Sequence, residues 1–193
     1  MSKTRLEAFS DGVIAILITI MVLELKVPHG ADLDALRHLA PVFCSYVLSF
    51  IYLGIYWNNH HHMLHATSRI NGKILWANLH LLFWLSLVPF GTAWMGDHHH
   101  APLPTAIYGV ILLAAAIAYY ILARAIIAAE GPESKLAQAF GRDLKGRISP
   151  LLYAAAIPLA FVSRELAQGI YVLVALVWLV PDPRIESRLA RRD

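Results

Sequence analysis

Over residues 101–123 the chain carries no formal charge, an apolar run of about 23 residues that ends only at Arg124. As an α-helix rising 1.5 Å per residue it would reach about 35 Å, enough to cross the roughly 30 Å hydrocarbon core of a bilayer. A soluble domain could hide such a helix only at its centre, and the rest of this sequence is hardly more polar. Hydrophobic residues make up 58% of the 193 residues and charged ones 15%, with a mean hydropathy of +0.57. Soluble domains carry about 25% charged residues, so the expected class is an all-α integral membrane protein.

Apolar windows predict six transmembrane helices in a single domain over 1–193, at about 5–25, 40–61, 73–95, 102–129, 148–163 and 166–180. Pro89 falls inside the third and is expected to kink it, because proline removes a backbone donor and crowds the preceding turn. The last two windows are short and separated by little more than Arg164 and Glu165. They read as a tight helical hairpin, with a re-entrant pair as the alternative. Between the fourth and fifth windows, residues 130–147 mix Lys135, Arg142, Lys145 and Arg147 with Leu136, Phe140 and Leu144, the pattern of an amphipathic interfacial segment. Pro181 and Pro183 end the last window, and residues 184–193 form a basic tail.

Six crossings put both termini on one side. All sixteen Lys and Arg except Lys26, Arg37 and Arg164 then fall on that side, so the positive-inside rule predicts that both termini are cytoplasmic. The net charge of +3 is explained by this topology. Nucleic-acid binding would need aromatic residues interleaved with the basic tail, and residues 184–193 have none.

The first window carries the most unusual chemistry. Arg5, Phe9, Ser10 and Asp11 lead into an uncharged stretch that ends at Glu24. Buried Asp and Arg are costly unless paired, so these residues are expected to bond to one another or to Trp76, Asn78 or His80 of the third helix. Further along, Ile16, Thr19 and Leu23 are spaced three and four apart and share a helix face, with Gly12 one turn below. That pattern fits a pore lining and also fits ordinary packing, in which Thr bonds back to its own helix.

The Arg5-x-x-x-Phe9-Ser10-Asp11 string on a first transmembrane helix, followed by Ile16, Thr19 and Leu23, resembles the family of lysosomal and prokaryotic transmembrane potassium channels. The similarity extends through the third-helix residues Trp76, Asn78 and His80. A single copy of the signature resembles the prokaryotic members, which implies the bacterial inner (plasma) membrane. The resemblance implies a homotetramer with four first helices around the pore, an apolar constriction at Ile16, a hydroxyl ring at Thr19 and a second apolar ring at Leu23. It implies potassium as permeant ion together with other monovalent cations, membrane lipids as surroundings, and no cofactor. It also implies no Thr-Val-Gly-Tyr-Gly filter, and none occurs here. Arg5, Phe9, Ser10, Asp11, Trp76, Asn78 and His80 are then architectural, locking the first helix against its neighbours.

Other functions find less support. A proton-coupled secondary transporter or proton leak would use Asp11, Glu24 and His80 as a relay. Enzymatic activity is not expected, since the chain has no Gly-x-Ser-x-Gly elbow, no His-Glu-x-x-His and no Gly-rich phosphate loop. The histidines of residues 60–65 and 98–100 are expected at opposite faces of the membrane, too far apart to share a catalytic metal. They read as solvated interfacial side chains that would take zinc only adventitiously. Cys44 stands alone in an apolar stretch.

Overall fold

A computed structural model describes residues 2–140 and 144–179. Its elements in chain order are α1 (Lys3–Met21) with a 3₁₀ turn at Val22–Glu24, α2 (Leu33–His65), α3 (Gly72–Ser86), α4 (Val88–Asp97), α5 (Pro102–Glu130), the short α6 (Lys135–Phe140), α7 (Leu144–Leu159) and α8 (Arg164–Leu179). The described residues contain no strand. Among the described residues, four segments are long and apolar enough to cross a membrane: Lys3–Glu24, Leu33–His65, Gly72–Asp97 and Pro102–Glu130.

Each boundary has a local cause. Asp32 caps α2, its carboxylate accepting from the Ala35 amide at 2.9 Å, so this helix begins at Leu33 rather than near residue 40. At 33 residues it is about 50 Å long, well beyond a bilayer core, and its first turns expose Leu33, Leu36, Arg37 and His38. Asn71 caps α3 in the same way through the Ile74 amide. The third apolar segment breaks at Leu87, where α3 ends and α4 begins with Pro89 in its first turn. Gly131, at φ 99°, terminates α5.

The turn between α7 and α8 sits at the α4–α5 end of the bundle, tied by the Arg164 guanidinium donating to the His100 carbonyl at 2.9 Å. The opposite ends of α7 and α8 meet through Lys145, whose ammonium donates to the Val177 carbonyl, and Trp178, whose indole donates to Ser149. The described residues therefore run along the bundle six times, with α3 and α4 together making one pass. The far end of α7 and α8 is the end at which α1 starts, since the Lys3 ammonium donates to the His65 carbonyl at the close of α2. Residues 184–193, Val180 and Arg142, to which sequence reasoning gave a tail, a helix end and a loop cation, lie outside the described residues.

Close helix contacts use glycine. A Cβ at Gly96 would stand 2.9 Å from the Val42 Cα, and one at Gly91 would meet Ile111 and Tyr108, so α4 lies against α2 and α5 with backbones near contact. Buried hydroxyls add directional links. The Tyr108 and Ser49 hydroxyls are 2.8 Å apart, Thr92 lies 2.6 Å from Ser49, and Tyr171 donates to the Thr105 carbonyl.

Candidate functional site

The first helix has two faces of different fate. Leu6, Ser10, Ile14, Leu17 and Met21 recur every three or four residues and are buried against α2, α3 and α4. Among the described residues the other face has no partner. Ile16 is 59% exposed and Leu23 77%, with Phe9, Gly12, Thr19 and Ile20 also exposed. The α-helical part ends at Met21, so Leu23 sits on the 3₁₀ turn rather than on the same α-helical face as Ile16 and Thr19. Thr19 bonds back to its own helix, its hydroxyl donating to the Ile16 carbonyl at 2.9 Å. That bond uses the only proton, and the outward side of the oxygen offers lone pairs.

A polar clasp joins the buried face to two neighbouring helices. The Ser10 hydroxyl donates to the Leu6 carbonyl at 2.8 Å, and the Asn78 amide nitrogen on α3 donates to the Ser10 oxygen at 2.9 Å. This orientation turns the Asn78 carbonyl oxygen to His60 on α2, whose Nε2 lies 2.6 Å away and must be the donor. The ring is then the Nε2–H tautomer. Its Nδ1 is buried with no partner, and Ser10, Asn78 and His60 are all 1% exposed or less. One helix turn further along α2 towards its N-terminus, the Trp57 indole donates to the Asp11 carboxylate at 3.1 Å, in a more open position.

The structure thus brings Ser10 to Asn78 and leaves several expected contacts unmade. Asp11 pairs with Trp57, not with Arg5 or His80. Arg5 is exposed, with a single hydrogen bond at its backbone amide. His80 accepts from Trp84 on its own helix, and Trp76 is 75% exposed. The physical reason is rotational: α3 is a 15-residue helix that turns Asn78, Ala77, Ile74 and Leu81 inward, which sends Trp76 and His80 to its outer side.

Sequence reasoning missed His60 and Trp57. It placed the whole histidine cluster in solvent, whereas His60 is buried. His61 and His65 are exposed and stack at 6.1 Å, and among the described residues no group of three or more His, Cys, Asp or Glu is placed to hold a metal. The available signal was spacing, because Leu53, His60 and Leu64 lie on one stripe of α2 and only His60 among the histidines falls on it.

Comparison with known proteins bears on this arrangement. Residues 5–89, which hold most of α1, the clasp and α3, match the family model described as the endosomal/lysosomal potassium channel TMEM175. A protein described as a potassium channel from Chryseobacterium sp. (strain P1-3) is 55% identical over 189 residues, covering 98% of each chain. The chain belongs to the TMEM175 channel family. A second relative, described as a potassium channel from Streptomyces collinus, is 30% identical over 197 residues, covering 95% of this chain and 96% of its own. The fold is similar to the crystal structure of a lysosomal potassium-selective channel TMEM175 homolog from Chamaesiphon minutus, with a TM-score of 0.82 at 30% identity over 92% of this chain and 96% of that one. TMEM175 is a family of ion channels and not of enzymes, which agrees with the lack of hydrolytic motifs in the sequence.

Proposed function

We propose that this chain is the subunit of a potassium-permeable channel of the bacterial inner membrane, a homotetramer with four α1 helices around the conduction path and both termini in the cytoplasm. The observation that carries the reading is the division of α1 into a buried face fixed by the clasp and an exposed face that presents Gly12, Ile16 and Thr19, with Leu23 exposed on the 3₁₀ turn beyond it. In a tetramer each of those residues becomes a ring. An Ile16 ring makes an apolar constriction, where an ion sheds water without gaining ligands. A Thr19 ring offers outward oxygen lone pairs that a monovalent cation or its hydration water can use. Leu23 rings the path again towards the far end. The channels named among the relatives support potassium as the ion.

Ser10, Asn78 and His60, with Asp11 and Trp57 beside them, act on this reading as the lock that sets the rotation of α1. A transporter relay through Asp11, Glu24 and His80 gains no support. Asp11 binds Trp57, His80 binds Trp84, and Glu24 stands exposed on the 3₁₀ turn.

The test is potassium flux and reversal potential on purified protein in liposomes, with sodium substitution and an Ile16→Asn variant. Selective, uncoupled flux that rises in Ile16→Asn supports the channel and its constriction. Unchanged flux in the variant removes Ile16 from the gate, and transport that appears only under a proton gradient replaces the channel by a coupled carrier.

A further inference from the structure

A second apolar surface adjoins the exposed face of α1, and it follows a strict repeat. Along α2, Leu36, Phe43, Phe50 and Trp57 recur every seven residues, and all four are exposed. Between them fall Leu33, Ala40, Val47 and Gly54, again seven apart, so the two columns alternate at spacings of three and four. That is the repeat by which one helix packs knobs into the holes of another, and bundles within membranes use the same geometry. The columns differ in size. The first carries large side chains throughout, whereas the second narrows at Ala40 and Gly54, and a Cβ added at Gly54 would meet nothing within 4 Å. The seam thus has ridges and open notches.

Its length and its ends favour protein over lipid as the cover. Acyl chains require an apolar surface but impose no seven-residue repeat on it. From residue 33 to residue 57 the seam rises about 36 Å, more than the hydrocarbon core of about 30 Å. One end lies among Asp32, Asp34 and Arg37, so Leu33 and Leu36, 75% and 56% exposed, stand at a charged level beyond the reach of lipid tails. The other end meets α1, where the Trp57 indole bonds to Asp11, and the seam is continuous there with the exposed α1 face. In a ring of copies around α1, a helix that flanks α1 is turned to the next copy. We infer that the α2 seam receives a helix of a second copy of this chain, with apolar side chains of that copy entering the notches at Ala40 and Gly54. Subunit pairing then extends from the first helix onto the second and out past the membrane core. This deepens the channel reading and takes from it only that copies surround α1.

The test uses the full-length protein. Gly54→Phe fills a notch that is empty in the single subunit, so helix content by circular dichroism should match the wild type. The assembled fraction in detergent, read by light scattering, should fall by about tenfold or more. Leu151→Phe, on the exposed side of α7, which packs on α5 and α8, should leave assembly unchanged. Should Gly54→Phe fail to fold, photo-cross-linking in native membranes decides. The photoreactive p-benzoylphenylalanine in place of Phe50 should give covalent dimers of the chain, and in place of Leu151 only lipid adducts, distinguished by mass spectrometry. A folded Gly54→Phe protein of wild-type mass, or lipid adducts alone from position 50, would overturn the seam, and uncoupled potassium flux in the same preparation would leave the channel standing. Covalent dimers without uncoupled flux would support the seam and remove the channel.

Discussion

The Tyr171 hydroxyl of α8 occupies the space that a side chain at Gly109 of α5 would need, and it donates from there to the Thr105 carbonyl one turn away. Gly109→Ala is therefore expected to destabilise the α5–α8 contact by about 1–3 kcal/mol, the usual cost of overpacking. Thermal unfolding in detergent measures it. Tyr171→Phe takes away the obstructing oxygen, so the alanine should cost less in that background. Equal costs in both backgrounds would mean that the two residues do not meet.

The clasp makes a second expectation. Asn78→Leu leaves the His60 Nε2–H buried without a partner, worth about 1–3 kcal/mol, and takes from the Ser10 oxygen the donor it accepts from, while its bond to the Leu6 carbonyl remains. The variant should lower the thermal midpoint and the yield of assembled protein more than Trp76→Leu, a change at an exposed position of the same helix. A variant Asn78 protein as stable as wild type would remove the clasp from the account of how α1 is held.

The Asp11–Trp57 pair is more open, and its contribution should be smaller. A double-mutant cycle with Asp11→Ala and Trp57→Phe is expected to give a coupling of about 1 kcal/mol, in keeping with a single hydrogen bond. On the channel reading, Asp11→Ala should disturb stability and assembly more than ion selectivity. Normal assembly with altered selectivity would move Asp11 from architecture to the conduction path.

At the end of the bundle where α1 begins, the Glu130 carboxylate closes α5 onto the segment before α3, accepting from the Ser68 and Arg69 amides at 2.6 and 3.0 Å and from the Ser68 hydroxyl. Glu130→Ala should speed amide hydrogen exchange at Ser68 and Arg69 by about tenfold or more. Unchanged exchange would show that the segment is held by something other than this carboxylate.

The long apolar windows were legible because hydrophobic runs of membrane length admit few structures; 102–129, for example, lies within α5. The start of α2 was not legible. Arg37 and His38 looked like a loop, and the cap at Asp32 shows only once the backbone is seen to turn there. On α1, the spacing of Ile16 and Thr19 implied one face, but not whether it packs inside the chain. The bond to the third helix expected of Asp11 or Arg5 does not form, and Ser10 reaches Asn78 instead, while His60 was hidden by its neighbours. A histidine among histidines reads as polar surface, and only its phase relative to Leu53 and Leu64 sets it apart.

The direction of the clasp has a last consequence. From His60 to Asn78 to Ser10 to the Leu6 carbonyl, every donor points towards α1, and the middle member is a carboxamide. A hydroxyl or imidazole can take a proton on one side and release another on the opposite side. A carboxamide does so only through a high-energy imidic acid form. The chain of bonds that ties the first helix to its neighbours is thus an electrical break, a fixed strut through which protons do not leak.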